Sequence, residues 1–360
     1  MPQNNWPDVA GALIAGGRST RMGTDKALLE LNGESLWRLG QRSLASLFDR
    51  VFIAGDRPDL ATPECPCHPD ARPGSALGGL ETALRHVGRD WVCVLPCDLP
   101  FPSPALLISL LAHREGVQAV APRTAHGCEP LIACYRRDCL PVVMDQLERG
   151  DFRLTNLLDR LDTRYLDPPQ LPAGWRRALR NLNTPDDLAG LQRLPPAVTF
   201  VARSGTGKTT LLEKLIGELV TRGWTVGALK HDAHRFEIDH EGKDSWRLAR
   251  AGALITAINS PAQSAVIRRH ESEPPLDRLL QDFIGMDIVL TEGFKRSALP
   301  KIEVHRAALE SPLLCRGEFH DPALAAVVSD VQLELDVPGF GLEEIAALAD
   351  FLEKTFLDGK

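Results

Sequence analysis

Residues 202–209 read ARSGTGKT, set between an apolar run, AVTFVA, and a helical pattern, TLLEKLIGELV. That setting suits a phosphate-binding loop, because a glycine-rich turn at a helix N-terminus aims several backbone N–H groups at one anion. The residues that would hold a nucleotide there are Ser204, Gly205, Thr206, Gly207, Lys208, Thr209 and Thr210. Lys208 supplies a fixed positive charge, and Thr209 is placed to ligate Mg2+ carried by the β and γ phosphates. Gly205 and Gly207 let the backbone wrap without Cβ clashes. Ala202 stands where the GxxxxGK[ST] pattern has its first glycine. The bland alternative is a chance glycine turn, and strand, loop and helix in register count against it. A later apolar run, DIVLTEG, ends in Glu292, where an acid could hold the metal or orient a nucleophile, while Asp287 opens the same run farther from the loop. No NKxD run occurs, so motifs leave the base preference of this half open.

A second glycine loop, AGGRSTRMGTDK, follows the apolar run 9–15. Ile14, Ala15, Gly16 and Gly17 offer backbone, and Arg18, Arg21 and Lys26 offer three cations for a triphosphate. Ala27 follows the lysine, so the hydroxyl of a P-loop is missing, and an ordinary polar loop is the competing reading. Asp98 ends the apolar run WVCVLPC. Ligands of open parallel sheets sit beyond the carboxyl ends of strands, where both this loop and Asp98 belong, and a carboxylate there suits Mg2+. Helix capping is left to Ser103, at the start of the next helical pattern. Asp70, in CHPDARPGSALGGL, reads equally as a nucleotide contact or a turn residue. No Ser/His/Asp constellation stands out, and nucleotidyl transfer to a phosphate needs none, since a monoester with second pKa near ~6 is mostly ionised at neutral pH. Positioning and charge neutralisation are the work.

Two further clusters have metal-ligand residue types. Cys65, Cys67 and His68 form a CxCH run without a second pair at zinc spacing, and His231, Asp232, His234, Asp239 and His240 crowd one loop. The first reads as ordinary buried thiols, and the second as a solvated switch-like loop.

These residues need elements to position them. At 360 residues the chain exceeds the growth of one core and calls for two domains. Apolar residues make up 44% and charged residues 25%, an ordinary globular balance, and the net charge of −7 argues against a general nucleic-acid binder. No apolar stretch near the N-terminus is long enough for an export signal or a span, and eight cysteines, several inside apolar runs, fit a reducing compartment. The expectation is a cytoplasmic enzyme with neither nucleic-acid nor membrane partners. Strands alternate with helices in both halves, which implies parallel sheets covered on both faces. NTPDDLAGLQRL, with Thr184 as N-cap and Pro185 at the first helical position, closes the first half. Pro195 and Pro196 break the chain, so the domains are expected over 1–195 and 196–360. The fold class is therefore α/β, with two doubly wound domains: a Rossmann-like nucleotidyltransferase sheet and a P-loop NTPase sheet.

IAGGRSTRMGTDKALLELNG, PGSALGGL, LPCDLPF and NLNTPDDL make residues 9–194 resemble the molybdenum cofactor guanylyltransferases, the MobA family. VARSGTGKTTLLEKLI, LKHDAH, the GKDS run and LTEGFK make residues 197–355 resemble the companion MobB family. The resemblance implies that Ile14, Ala15, Gly16 and Lys26 hold GTP, that Asp70 contacts the nucleotide, that Asp98 binds it with Mg2+, and that Asn183 helps the metal. Where the family often has an asparagine after its second strand, Ala54, Gly55 and Asp56 stand here. The implied reaction joins GMP to the terminal phosphate of molybdenum-molybdopterin and releases pyrophosphate, and the second half binds GTP, with weak hydrolysis at most, and assists. Molybdoenzyme apoproteins or their chaperones are the implied recipients. Competing readings are a cytidylyltransferase on the same pterin, a sugar-phosphate nucleotidyltransferase fused to a small kinase, and a GTP-regulated cofactor carrier.

Overall fold

A computed structural model describes residues 6–15, 25–31, 33–182, 184–232, 238–317 and 320–357. The chain divides into two compact units, Met1–Leu191 with Gly217–Thr225, and Gln192–Ile216 with Val226–Lys360.

The first unit is built on an eight-stranded sheet in the order Thr163–Leu166, Ala119–Thr124, Ala133–Arg136, Trp91–Pro96, Val9–Ile14, Val51–Ala54, Cys67–His68, with Gly127–Cys128 paired to Ala119–Thr124. Alternation along the first strand explains its double burial. Val9 and Leu13 join Trp37, Leu44 and Leu107 in one core, whereas Ala10, Ala12 and Ile14 join Leu77, Leu80 and Leu84 in another. Helices Leu36–Ala45 and Pro104–Ala112 contribute to the first of these cores and Ala76–His86 to the second, as a doubly wound sheet requires. Two glycines set how closely the helices approach. A Cβ on Gly40 would sit 2.8 Å from Leu13 Cδ2, and one on Gly79 would sit 2.8 Å from Ile14 Cγ2.

The sheet is not wholly parallel. Ala133–Arg136 runs antiparallel to both Trp91–Pro96 and Ala119–Thr124, which corrects the all-parallel expectation. An inserted strand between two parallel neighbours leaves no trace in hydrophobic period, because only its direction differs.

The second unit has a six-stranded parallel sheet in the order Val226–Lys230, Ile288–Glu292, Ala197–Val201, Lys301–His305, Leu324–Ser329, Gly339–Gly341. The apolar runs at Ile255–Asn259 and Ser264–Arg268 do not join it and instead form a separate antiparallel hairpin. Helix caps follow the sequence: the Ser103 hydroxyl accepts from Leu106 N at 3.3 Å, and Thr184 exchanges bonds with Asp187 at 3.2 and 2.8 Å. Among the described residues no helix is long and apolar enough to cross a membrane.

Candidate functional site

In the first unit the strand Val9–Ile14 is central, and the chain leaves it toward Val51–Ala54 on one side and Trp91–Pro96 on the other. A crevice opens beyond carboxyl ends at such a switch point. Ile14 lies opposite both Ala54 and Pro96 in register, and its carbonyl accepts the N–H of Cys97 at 3.2 Å. Asp98 therefore emerges beside the end of the first strand. Its Oδ2 lies 3.3 Å from Lys26 Nζ, with side chains only 23% and 16% exposed. The structure brings these two together across 72 residues of sequence.

Lys26 is held by neighbours that sequence reasoning missed. Asp25 caps the short turn Lys26–Leu28 by accepting Ala27 N at 3.1 Å, and Arg57 bridges Asp25 and Asp59 at 2.8 Å each. Arg57 follows the second strand, where the family's asparagine was sought, and no local signal ties it to Asp25. Burial and the adjacent Asp98 push the Cys97 thiol up to about 12, so it is protonated at neutral pH. Ile14 and Ala15 are buried, while Gly16, Gly17, Arg18, Arg21 and Asn183 lie outside the described residues.

Asp70 sits in the segment before helix Ala76–His86. Both its carboxylate oxygens are buried without a close hydrogen-bond partner among the described residues, and the neighbouring Thr82 hydroxyl, which donates to the Gly78 carbonyl at 3.1 Å, offsets only part of that burial. Burial, with Asp56 and Glu81 nearby, raises its carboxyl above the usual 3.8. The folded state thus holds the proton more tightly than the unfolded chain, so stability falls as pH rises from the ordinary value through the raised one. Asp70→Asn should consequently raise the melting temperature at neutral pH, with a gain that shrinks as pH approaches 4. An unchanged or lowered melting temperature at pH 7 would contradict a buried charge that its surroundings leave under-compensated.

In the second unit, Ala197–Val201 leads into the loop and helix Lys208–Thr221 starts at the lysine. Gly205 and Gly207 have φ of +80° and +87°, values that L side chains rarely adopt. Phe200 lies opposite Glu292 in register, which delivers Glu292 to the loop: Thr209 Oγ1 donates to Glu292 Oε2 at 3.0 Å. A hydroxyl and a carboxylate oxygen converge there. Lys208 reaches the Arg203 carbonyl at 3.4 Å, and burial draws its ammonium below the usual value despite the opposing charge of Glu292. Ser204, Thr206 and Thr210 complete the turn and first helical residues, with Thr206 donating to the Arg203 carbonyl at 3.1 Å. Asp287 is buried just before the strand Ile288–Glu292, at the end opposite Glu292.

Arg306 was also missed. Its Nε donates to the Thr206 carbonyl at 3.0 Å, an approach across 100 residues without a sequence signature. The strand-end residues Gly293 and Phe294 both have positive φ, +102° and +45°, beside His231, whose ring packs on Phe294 at 4.8 Å.

Among the described residues no group of three His, Cys, Asp or Glu side chains is arranged to hold a metal alone. Cys67 donates to the Gly55 carbonyl at 3.0 Å, burial pushes the Cys65 thiol up to about 11, and His68 stacks on His86 at 4.0 Å. His231 pairs with Glu273 at 2.9 Å, Asp239 accepts from Ser245 at 3.0 Å and from His240 N at 2.9 Å, and His234 lies outside the described residues.

Residues 11–164 match the family described as the MobA-like NTP transferase domain, and residues 197–330 match molybdopterin guanine dinucleotide synthesis protein B. The molybdopterin-guanine dinucleotide biosynthesis adapter protein of Haemophilus influenzae is 38% identical over 160 residues, which cover 44% of this chain and 88% of the relative. The probable molybdenum cofactor guanylyltransferase of Nostoc sp. is 34% identical over 193 residues, covering 51% and 91%. The crystal structure of molybdopterin-guanine dinucleotide biosynthesis protein A from Archaeoglobus fulgidus is 25% identical, with a TM-score of 0.45, over 50% of this chain and 95% of that one.

Proposed function

We propose, for a chain that belongs to the molybdenum cofactor guanylyltransferase family in its first half and to the molybdopterin-guanine dinucleotide adapter family in its second, that it transfers GMP from GTP to molybdenum-molybdopterin. The transferase module occupies residues 1–195 and the GTP-binding adapter module residues 196–360. The observation that carries this reading is the Lys26–Asp98 pair, 3.3 Å apart beyond the carboxyl ends of the two central strands.

A terminal phosphate oxygen of the pterin attacks the α phosphorus of GTP, the bond to the bridging oxygen breaks, and pyrophosphate leaves with that electron pair. The ionised phosphate is already a nucleophile at neutral pH, so no side chain has to remove a proton. Lys26 offsets charge that builds on the α phosphate and leaving group. Ile14 and Ala15, together with Gly16 and Gly17, present backbone to the nucleotide, and Asp70 accepts donors that satisfy its buried oxygens.

Mg2+ fits the residues present. A hard cation that binds through one or two carboxylates plus phosphate oxygens and water needs no all-protein cage, and Asp98 is a carboxylate so placed. Asp98 would hold the ion in the first module, and Thr209 with Glu292 in the second, where their oxygens already converge at 3.0 Å. When bound, the metal neutralises phosphate charge. The second module binds GTP through Ser204 to Thr210 and assists transfer or delivery to molybdoenzyme apoproteins or their chaperones, in the cytoplasm.

Incubation with α-labelled GTP, Mg2+ and molybdenum-molybdopterin tests the reading. Label should appear in a dinucleotide as pyrophosphate accumulates, and CTP and ATP should compete poorly. Release of inorganic phosphate without dinucleotide overturns it.

A further inference from the structure

Arg57 has no part in the transfer chemistry, yet its guanidinium meets the turn that carries Lys26. Its own segment holds it first. Gly55 donates to the His68 carbonyl at 3.0 Å, and the Gly55 carbonyl accepts from Arg57 N and from Cys67 Sγ, both at 3.0 Å. The planar fork is then fixed by Asp59, with Nε donating to Oδ1 at 3.0 Å and Nη2 to Oδ2 at 2.8 Å. The remaining contacts cross 32 residues to Asp25, whose Oδ1 accepts from Nη1 at 3.2 Å and whose Oδ2 lies 2.8 Å from Nη2. The arginine side chain is only 16% exposed, so water screens these bonds in part.

Asp25 carries more charge than its local duty requires. A cap for the turn Lys26–Leu28 needs only an acceptor for Ala27 N, and asparagine or serine supplies one. A carboxylate beside a lysine adds a competing partner: an ammonium at this position can pair with its chain neighbour or with Asp98, and only Asp98 draws it to the strand ends. Arg57 engages both oxygens of Asp25 and takes up that charge, while Lys26 Nζ lies 3.3 Å from Asp98 Oδ2. Ala27 is 1% exposed within the core, so the turn itself stays anchored when the charges around it change.

We propose that Arg57 is a positioning residue for guanylyl transfer: by taking up the charge of Asp25 it leaves the Lys26 ammonium to Asp98 and the triphosphate. The proposal rests on the reading of Lys26 and Asp98 as the reacting centre. Arg57 touches no reacting atom in this account and acts only through Lys26. Its effect should therefore vanish where Lys26 is absent, and should be relieved where Asp25 no longer carries a charge.

A double-mutant cycle of Arg57→Gln with Lys26→Ala tests it, read as transfer by the full chain from α-labelled GTP to molybdenum-molybdopterin with Mg2+, with single-turnover rates for the slow variants. Arg57→Gln should lower kcat roughly ten- to hundredfold, the range for a lost charge-assisted bond, and shift the KM for GTP far less. In the Lys26→Ala background the same change should cost less than about threefold. Asp25→Asn keeps an acceptor for Ala27 N and removes the competing charge, so adding it to Arg57→Gln should recover most of the lost rate. An arginine that only stabilised the fold would show no such rescue. Unchanged kcat, absence of rescue, or equal costs with and without Lys26 each overturn the assignment, as does a raised KM with kcat intact, which would make Arg57 a direct ligand of GTP. If Arg57→Gln alone does not fold, its cost is read in the Asp25→Asn background, where a loss above about threefold overturns the assignment. Failure of the wild-type chain to form the dinucleotide overturns the transfer reading instead, and is seen before any substitution is made.

Discussion

Asp98→Ala is expected to lower guanylyl transfer by about a thousandfold or more while the Walker-type loop keeps its nucleotide. A metal-holding carboxylate supplies several kcal/mol of charge stabilisation, and each 1.36 kcal/mol is tenfold in rate. Asp98 is the carboxylate that pairs with Lys26 at the strand ends, and the next helix is capped by Ser103, so that cap survives the change. The variant should also leave Lys26 unpaired by Asp98 and weaken GTP at the first site. Quenched-flow or steady-state transfer with labelled GTP, run beside equilibrium dialysis, reads both effects. Transfer within tenfold of wild type would remove Asp98 from the reacting centre.

On the proposed phosphate site, Lys208→Ala should cost the second module about a hundredfold or more in nucleotide affinity, because a charge-assisted bond from the ammonium to phosphate would be lost. Burial lowers the ammonium's pKa against the opposing charge of Glu292. Dialysis should show about one nucleotide bound per chain instead of two near micromolar GTP. Unchanged stoichiometry would mean that the loop is a structural turn. Paired with Asp98→Ala, this result separates the two nucleotide sites, because each variant should remove one and spare the other.

Much of this arrangement is legible in the residues themselves. The phosphate loop carries its own strand, its glycines at positive φ and its helix start within one continuous stretch, so local chemistry suffices. The first site is less local, yet its chemistry survives in sequence because Lys26 follows a glycine loop and Asp98 ends a buried strand, and parallel strand ends must meet ligands on one edge. What stays hidden are contacts between distant segments with no period or motif. Arg57 holding Asp25 and Arg306 holding the Thr206 carbonyl are lone arginines whose partners only the fold supplies. Strand direction is hidden for a similar reason: Ala133–Arg136 is as apolar as its parallel neighbours, and its reversal is set by the connection from Ala119–Thr124. The hairpin at Ile255–Asn259 and Ser264–Arg268 shows the limit of strand propensity, which finds a strand without saying which sheet it joins.

The most direct measurement is a crystal structure of the full chain with Mg2+ and a guanosine triphosphate analogue whose α–β bridge resists cleavage. Density for a triphosphate lying between Lys26 Nζ and a metal bound by Asp98, with the base beyond Ile14 and Ala15, is the expected outcome. A nucleotide held only by Gly205 to Thr210, with the Lys26–Asp98 pair closed and nothing bound beside it under saturating analogue, would contradict transfer at that pair.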